Sequence, residues 1–345
     1  MMNKNLEKKS DNYAKMHRSK NAILYKIKSK LKIKNIFFPE PKSGQVLVKL
    51  DYSGVCASQV MEIMGGRNNK KYIPHLLGHE GVGRVFKIGK NVKKVKVGQD
   101  VILTWLKCKG ANVKNSQLIF KKKIINFGPI TTFGEYSLIS ENRLLVKPKN
   151  INKKISSLFG CALATGAGMA INETKIKKND KVLVYGLGGI GFSCLITLIS
   201  LGVKNITVWD INKKRILIAK KMGIKNVLKN EGNFDICFES CGKIDTIEHA
   251  FKLLKTNGKL IFSSHPDKNL KIKILPHDLI KGKRIIGSWG GSTNLEKDIK
   301  KIYNIIKKNI RYFDFIIKKV YKIEDINLAI NDLIKGKVIR PLIKF

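Results

Sequence analysis

Lys181-Val-Leu-Val-Tyr-Gly-Leu-Gly-Gly-Ile-Gly191 decides the fold. Its first five residues form an apolar run without alternation, which reads as a strand buried on both faces. Gly186-Leu-Gly-Gly-Ile-Gly191 then fits G-x-G-x-x-G, and an apolar helix continues from Ile190 to Leu201. A second strand, Asn205-Ile-Thr-Val-Trp209, ends at Asp210, 19 residues after Gly191. Strand, glycine turn, helix, strand and acid in this order are the context of a dinucleotide site. Gly186 permits the tight turn, Gly188 lets backbone approach a pyrophosphate, and Gly191 lets the helix lie close to the sheet. Gly189 lies in the same turn, where free N–H groups and the positive helix end face the phosphates. Asp210 would accept hydrogen bonds from the adenosine ribose and repel a 2′-phosphate, favouring NAD over NADP. Arg215 could contact the same ribose edge and soften that repulsion. Taken singly, the residues also fit an ordinary glycine-rich turn, with Asp210 as a strand-end cap.

Working outward, strands and helices keep alternating. A basic helix, Lys213 to Met222, precedes strands at Phe234–Phe238, Lys259–Ser263 and Arg284–Ser288, with a helical segment at Thr246–Leu254. This predicts a parallel, doubly wound α/β sheet. Toward the N-terminus the texture changes. From Ile23 to about Leu145 the segments are short, β-branched and punctuated by glycine, as in Gln45–Leu50, Gly81–Phe86 and Asp100–Thr104. That is an all-β pattern, read as a small barrel. An amphipathic helix around Ile299–Ile306 and a strand-like end, Ile339–Phe345, complete the chain.

At 345 residues, two domains are expected. The boundaries read as a basic arm over 1–20, a β domain over 21–163, a dinucleotide-binding domain over 164–292, and a segment over 293–345 returning to the first domain. No apolar run reaches a membrane-spanning length, and Met1 to Lys20 lacks a signal peptide's apolar stretch. A cytoplasmic protein is expected. The net charge of +43 comes from 68 basic residues, of which only 8 are arginines. The lysines are scattered beside Asn and Ile, a codon-usage pattern, where a nucleic-acid footprint would cluster basic residues with aromatics. Neither specific nucleic-acid binding nor membrane binding is expected, and weak salt-sensitive adhesion to polyanions is.

Cys56, Cys108, Cys161, Cys194, Cys237 and Cys241 include no C-x-x-C pair, so no compact zinc knuckle is written here. Three segments each offer one soft or borderline ligand among glycines: Gly54-Val-Cys-Ala-Ser58, Gly78-His-Glu-Gly-Val-Gly83 and Gly160-Cys-Ala-Leu-Ala-Thr-Gly166. Two thiolates and an imidazole are the protein ligand count of a catalytic zinc. Alone, each cysteine reads equally as a buried small hydrophobe, and spacing cannot join ligands so far apart.

These segments, with Pro74-His-Leu-Leu-Gly-His-Glu-Gly-Val-Gly83, Val85-Phe-Lys-Ile-Gly-Lys-Asn-Val92 and the glycine fingerprint, resemble the zinc-containing medium-chain alcohol dehydrogenases. The resemblance runs from about residue 22 onward. It implies a GroES-like β domain and a Rossmann domain, with an active site in the cleft between them. It implies Cys56, His79 and Cys161 as ligands of one catalytic zinc. Glu80 corresponds to the acid behind the metal, Ser58 to the hydroxyl that takes the alcohol proton, and Thr165 to a residue against the nicotinamide. Arg340 corresponds to an arginine on the cofactor pyrophosphate, where a two-pronged contact is physically apt. From their residues alone, Glu80 also fits a barrel-edge carboxylate, Ser58 a loop serine and Arg340 a surface arginine.

The implied activity is hydride transfer between NAD and an alcohol or its carbonyl, by a homodimer or homotetramer. Two alternatives stand beside it: a biosynthetic reductase of a sugar-linked carbonyl, and a non-catalytic NAD-binding protein. The pattern also departs from the family. Met61 stands where many relatives end their proton relay in a histidine, and Ala57 where many place Arg or His against the pyrophosphate. Only Cys108 lies in the stretch, Trp105 to Lys123, where many relatives hold a second, four-cysteine zinc, so one zinc per chain is expected. His75, His249, His265 and His277 read as surface or structural.

Overall fold

The computed structural model describes residues 16–67, 70–113, 118–120, 123–229, 231–266 and 269–345. The chain divides into two compact units. The first is the chain up to Gly160 with Lys319–Lys335 and Pro341–Phe345; the second is Cys161–Lys318 with Gly336–Arg340.

The first unit is built from β1 (His17–Leu24), β2 (Lys32–Phe38), β3 (Gln45–Gly54), β4 (His75–Leu76), β5 (Glu80–Ile88), β6 (Asp100–Thr104), β7 (Leu118–Phe120), β8 (Lys123–Phe127), β9 (Tyr136–Ser140) and β10 (Leu144–Val146). One helix, α1 (Ala57–Met64), follows β3, and α2 (Lys153–Leu158) closes the segment. One sheet runs β2-β1-β4-β8-β7. The other runs β10-β6-β5-β3 and continues to strands from the chain's end, with β9 also paired to β3. Inward residues of this second sheet, among them Val46, Val48, Leu50, Val85, Val101 and Leu103, form one apolar cluster. Strand β3 is central: Gln45–Val48 are buried in succession and its end, Ser53-Gly54, is buried too, so it holds the loop that follows it.

The second unit is the doubly wound α/β sheet expected from the glycine motif. It opens with α3 (Ala162–Asn172) and continues through β11 (Lys181–Tyr185), α4 (Gly189–Ser200), β12 (Asn205–Trp209) and α5 (Lys213–Lys221). Then come β13 (Asn226–Val227), β14 (Phe234–Glu239), α6 (Ile244–Lys252), β15 (Leu254–Phe262), α7 (Pro276–Ile280), β16 (Arg284–Gly287) and α8 (Leu295–Ile306). Strand order is β13-β12-β11-β14-β15-β16 and every pairing is parallel. Order reverses beside β11, the position at which such sheets open a ligand crevice at their carboxyl ends. Two late strands, β17 (Val320–Lys322) and β18 (Leu342–Lys344), return to the first unit, where β18 lies antiparallel to β3.

Two boundaries differ from the sequence reading. Residues 1–15 of the expected arm lie outside the described residues, but His17 to Lys20 belong to β1. The buried positions in its first half are polar and mutually satisfied: Ser19 Oγ donates to Asn21 Oδ1 at 2.6 Å, and both side chains are buried. Residues 293–318 do not return to the first domain but belong to the second unit. There α8 buries Leu295, Ile299, Ile302 and Ile306, and Asn309 donates to Ser200 Oγ at the end of α4. Only 319–335 and 341–345 go back. No helix among the described residues is long and apolar enough to cross a membrane.

Candidate metal and dinucleotide sites

Strand β3 ends at Gly54 and delivers Cys56 as the N-cap of α1. His79 lies in the short link between β4 and β5, after Gly78, whose φ of +94° suits glycine. Cys161 follows Gly160, whose carbonyl accepts from Thr104 Oγ1 of β6 at 3.0 Å, so one peptide bond ties Cys161 to the first unit. One ligand atom from each of Cys56, His79 and Cys161 lies within 4.8 Å of the others. A tetrahedral zinc with Zn–S about 2.3 Å and Zn–N about 2.0 Å needs ligand atoms roughly 3.5–3.8 Å apart, a small adjustment from this spacing.

The imidazole is prepared for such an ion. His79 Nε2 is buried with no hydrogen-bond partner, an expensive condition for a polar atom unless something binds it. The Nδ1 side is occupied: the Gln59 amide makes a short hydrogen bond to it, and Ser58 Oγ lies 3.4 Å away. Gln59 also accepts from the Cys56 backbone N–H at 3.3 Å. A ligand histidine held at one nitrogen and open at the other is the usual arrangement around a metal. Two thiolates and one imidazole also match zinc's donor preference, so the residues present fit the ion.

Glu80 begins β5 and is fully buried. Its side chain occupies space left by two glycines. A Cβ on Gly54 would overlap Glu80 Oε1, and one on Gly160 would press on the Glu80 Cβ. Those glycines precede Val55-Cys56 and Cys161, so the acid is wedged directly behind two ligand-bearing turns. Two residues that carry no family expectation also belong here. Gln59 is one. Glu62, four residues after Ser58 on α1, is the other. Burial pushes its carboxyl up, against the pull of Arg67 and His79, with the Cys56 thiol adding to the rise. The i, i+4 spacing from Ser58 is the signal that could have found it. Met61 is half-buried on the same helix, and Ala57 is exposed.

The dinucleotide residues gather within the second unit. Gly186 follows β11 at φ +92°, and a Cβ there would strike Cys241 Sγ. A Cβ on Gly191 would overlap the Gly186 carbonyl oxygen. Gly188, by contrast, faces open space: nothing lies within 4 Å of a Cβ built on it. That is the clearance a phosphate needs above the N-terminus of α4, which begins there. Asp210 is buried, its Oδ2 accepting from Leu187 N–H and its Oδ1 from Asn212 N–H, each at 2.7 Å. It thereby clamps the glycine turn to the end of β12. Arg215 Nη1 sits 3.5 Å from Asp210 Oδ2, while its Nε is buried without a partner. Arg340 arrives on the Gly336–Arg340 segment, which Asn212 Nδ2 anchors through the Gly336 carbonyl. Its buried side chain runs past Gly189, with Cδ 3.6 Å from a Cβ built there. Thr165 is buried on α3, its N–H bonded to the Cys161 carbonyl at 2.9 Å. Of the other histidines, His75 is buried with Nδ1 2.9 Å from the Leu76 carbonyl, and burial lowers its pKa; His249 meets the Tyr185 hydroxyl.

Comparison with known proteins agrees with this geometry. The family described as "Alcohol dehydrogenase GroES-like domain" matches residues 42–149, and "Zinc-binding dehydrogenase" matches residues 189–308. Alcohol dehydrogenase class-3 of Drosophila melanogaster is 27% identical over 370 residues, covering 94% of this chain and 97% of its own. The crystal structure of benzyl alcohol dehydrogenase from Acinetobacter calcoaceticus superimposes with a TM-score of 0.85 at 25% identity, over 95% of this chain and 99% of that one. A zinc-binding alcohol dehydrogenase domain protein from Burkholderia ambifaria gives a TM-score of 0.86 at 21% identity, over 96% and 99% of the two chains.

Proposed function

The chain belongs to the zinc-containing alcohol dehydrogenases of the medium-chain dehydrogenase/reductase family, and from that premise we propose that it passes a hydride between NAD and an alcohol or the matching carbonyl. One observation carries the proposal: Cys56, His79 and Cys161, far apart in sequence, bring three ligand atoms within 4.8 Å of one another. The buried, partnerless His79 Nε2 supports it.

In this reading Cys56, His79 and Cys161 hold one zinc, which when bound supplies a Lewis acid that makes the substrate hydroxyl easier to deprotonate. Gln59 fixes the ring of His79. Glu80, lodged behind the ligand turns, tunes the negative field around them. Ser58 accepts the hydroxyl proton. The α4 N-terminus with Gly186, Gly188, Gly189 and Gly191 cradles the cofactor pyrophosphate, and Arg340 adds a charged contact. Asp210 orients the adenosine ribose and favours NAD over NADP; Arg215, already beside it, moderates that preference. Thr165 packs against the nicotinamide. The enzyme is proposed to act in the cytoplasm, in keeping with six cysteines of which none forms a disulfide. A homodimer or homotetramer is proposed; sedimentation at micromolar concentration checks it.

The test combines metal analysis with turnover. Purified protein should carry one zinc per chain and form NADH with at least one member of a panel of primary, secondary and aromatic alcohols. Cys161→Ala should lose both zinc and turnover while keeping its circular dichroism. Full turnover in that variant would sink the proposal.

A further inference from the structure

Oxidising an alcohol moves a hydride off carbon and frees a proton from oxygen. Ser58 can take that proton only by giving up its own, because a serine hydroxyl carries one before and one after. A second acceptor with a route to water is therefore required. Met61 has no basic atom. His79 does not serve either, since its Nδ1 is bonded to Gln59 and its buried Nε2 is the atom that would hold the zinc.

Glu62 meets the requirement. It stands four residues after Ser58 on α1, so the two share one helix face with Cβ atoms about 6 Å apart. Its side chain is 20% exposed, reaching solvent where Arg67 Nη1 lies 3.6 Å from Oε1. Arg67 and His79 favour its charged form electrostatically, and Cys56 opposes it. The carboxyl thus starts from the helix face that carries Ser58 and reaches bulk water. Burial is the largest influence on its proton affinity and raises its pKa above the ordinary carboxylate value, against the pull of Arg67 and His79.

We propose that Glu62 completes the proton relay: Ser58 Oγ hands its proton to the Glu62 carboxylate, directly or across one water, as it takes the proton of the substrate hydroxyl. One O–H bond breaks on the substrate and one forms on Ser58. The original Ser58 O–H breaks and one forms on Glu62, which then releases its proton to water. The hydride leaves with its electron pair for the oxidised dinucleotide, so the sum is one carbonyl, one reduced dinucleotide and one solvent proton.

This assignment rests on the proposed zinc-dependent hydride transfer, and the experiment separates the two. Zinc-loaded enzyme with NAD is mixed with trifluoroethanol, which binds as an alcohol and is not oxidised, in weak buffer containing phenol red. Proton release is read without turnover. Wild type should show a fast phase. Glu62→Gln should slow it roughly tenfold or more with trifluoroethanol affinity unchanged, and in Glu62→Ala added imidazole should restore it. Arg67→Met removes the ion-pair partner but leaves the acceptor, and should keep the fast phase. Unslowed release in Glu62→Gln overturns the proposal. So does equal slowing in Arg67→Met, or failure of imidazole to rescue, because either makes Glu62 only an anchor for its helix. If wild type releases no proton, the hydride-transfer reading itself fails and this assignment falls with it.

Discussion

Two glycines of one motif should answer the same substitution in opposite ways. Gly188 has φ −80° and ψ −167°, a conformation any residue adopts, and nothing lies within 4 Å of a Cβ placed on it. Gly188→Ala should therefore leave stability within about 0.5 kcal/mol, the gain from a stiffer unfolded chain offsetting a poorer N-cap. The added methyl would instead stand where a phosphate must approach the free N–H groups of α4. Loss of one or two charge-assisted hydrogen bonds weakens NAD binding by about 1.4–2.8 kcal/mol, a tenfold to hundredfold rise in Kd. Gly191→Ala would press the Gly186 carbonyl oxygen and Ser240 Oγ, which a Cβ would approach to 2.7 Å. That carbonyl belongs to the turn itself and cannot move freely, so overpacking costs about 1–3 kcal/mol, against about 1 kcal/mol of helix propensity regained. Quenching of protein fluorescence, with Trp209 beside Asp210 as reporter, follows NAD. Thermal unfolding by circular dichroism follows stability, and zinc content serves as the control. Wild-type NAD affinity in Gly188→Ala would refute the placement of the phosphate over this turn.

Asp210→Ser should lower kcat/KM with NAD tenfold or more and raise the NADP-to-NAD ratio. It should also cost about 1–3 kcal/mol of stability, because Leu187 N–H and Asn212 N–H lose their acceptor; an unchanged coenzyme ratio in steady-state assays would count against the ribose role. Glu141 accepts backbone N–H bonds from Lys93, Lys94 and Ala111. Burial raises its pKa, but the three bonds and the Lys94 charge outweigh burial and hold it below the ordinary carboxylate value. A folded pKa below the unfolded one stabilises above the unfolded value near 4.3 and loses that contribution as pH falls through the folded value. Glu141→Gln should thus reduce stability at pH 7 by about 1–3 kcal/mol and flatten its fall in acid, read from urea midpoints between pH 3 and 7. Finally, a net charge of +43 attracts NADP more strongly than NAD at long range, its extra phosphate adding nearly two negative charges. Raising salt should therefore lower the NADP-to-NAD ratio of kcat/KM, and a salt-independent ratio would confine selectivity to contacts around Asp210.

The α/β unit was legible because its signals are local. Strands Lys181–Tyr185 and Asn205–Trp209 fall where the sequence puts them, the first because a parallel strand buried on both faces must be apolar throughout, the second because its β-branched run alternates buried and half-exposed positions. The β1 strand was hidden because Ser19 and Asn21 satisfy each other inside, so hydropathy reads them as surface. The destination of 293–318 was hidden for another reason. An amphipathic helix announces that it has a buried face without naming the partner. At the metal site, ligand identity came from short motifs, but their meeting is a long-range fact of β3, β5 and the Gly160 turn. Gln59 and Glu62 escaped notice because a glutamine and a glutamate on a short helix look like solvent-facing residues until the position of His79 is known.

The lysine-rich composition and the site coexist because they draw on different positions. Gly54 makes room for the Glu80 carboxylate and Gly160 for the base of the same side chain, while Gly186 makes room for Cys241 and Gly191 for the Gly186 carbonyl. None of these four can carry any side chain without displacing its neighbours. The polar groups that remain are held by what surrounds them: Asp210 by two backbone N–H groups, His79 by Gln59, Glu80 by the two glycines. A drift toward lysine, asparagine and isoleucine can pass over exposed strand and helix positions with changes of a few tenths of a kcal/mol each. At the enclosed positions the same change would bury an unpaired charge or force two backbones apart, at several kcal/mol. The site is therefore written less in its reactive side chains than in the vacant Cβ positions around them, and that is why sparse glycine motifs identify it inside a chain whose surface looks like a polycation.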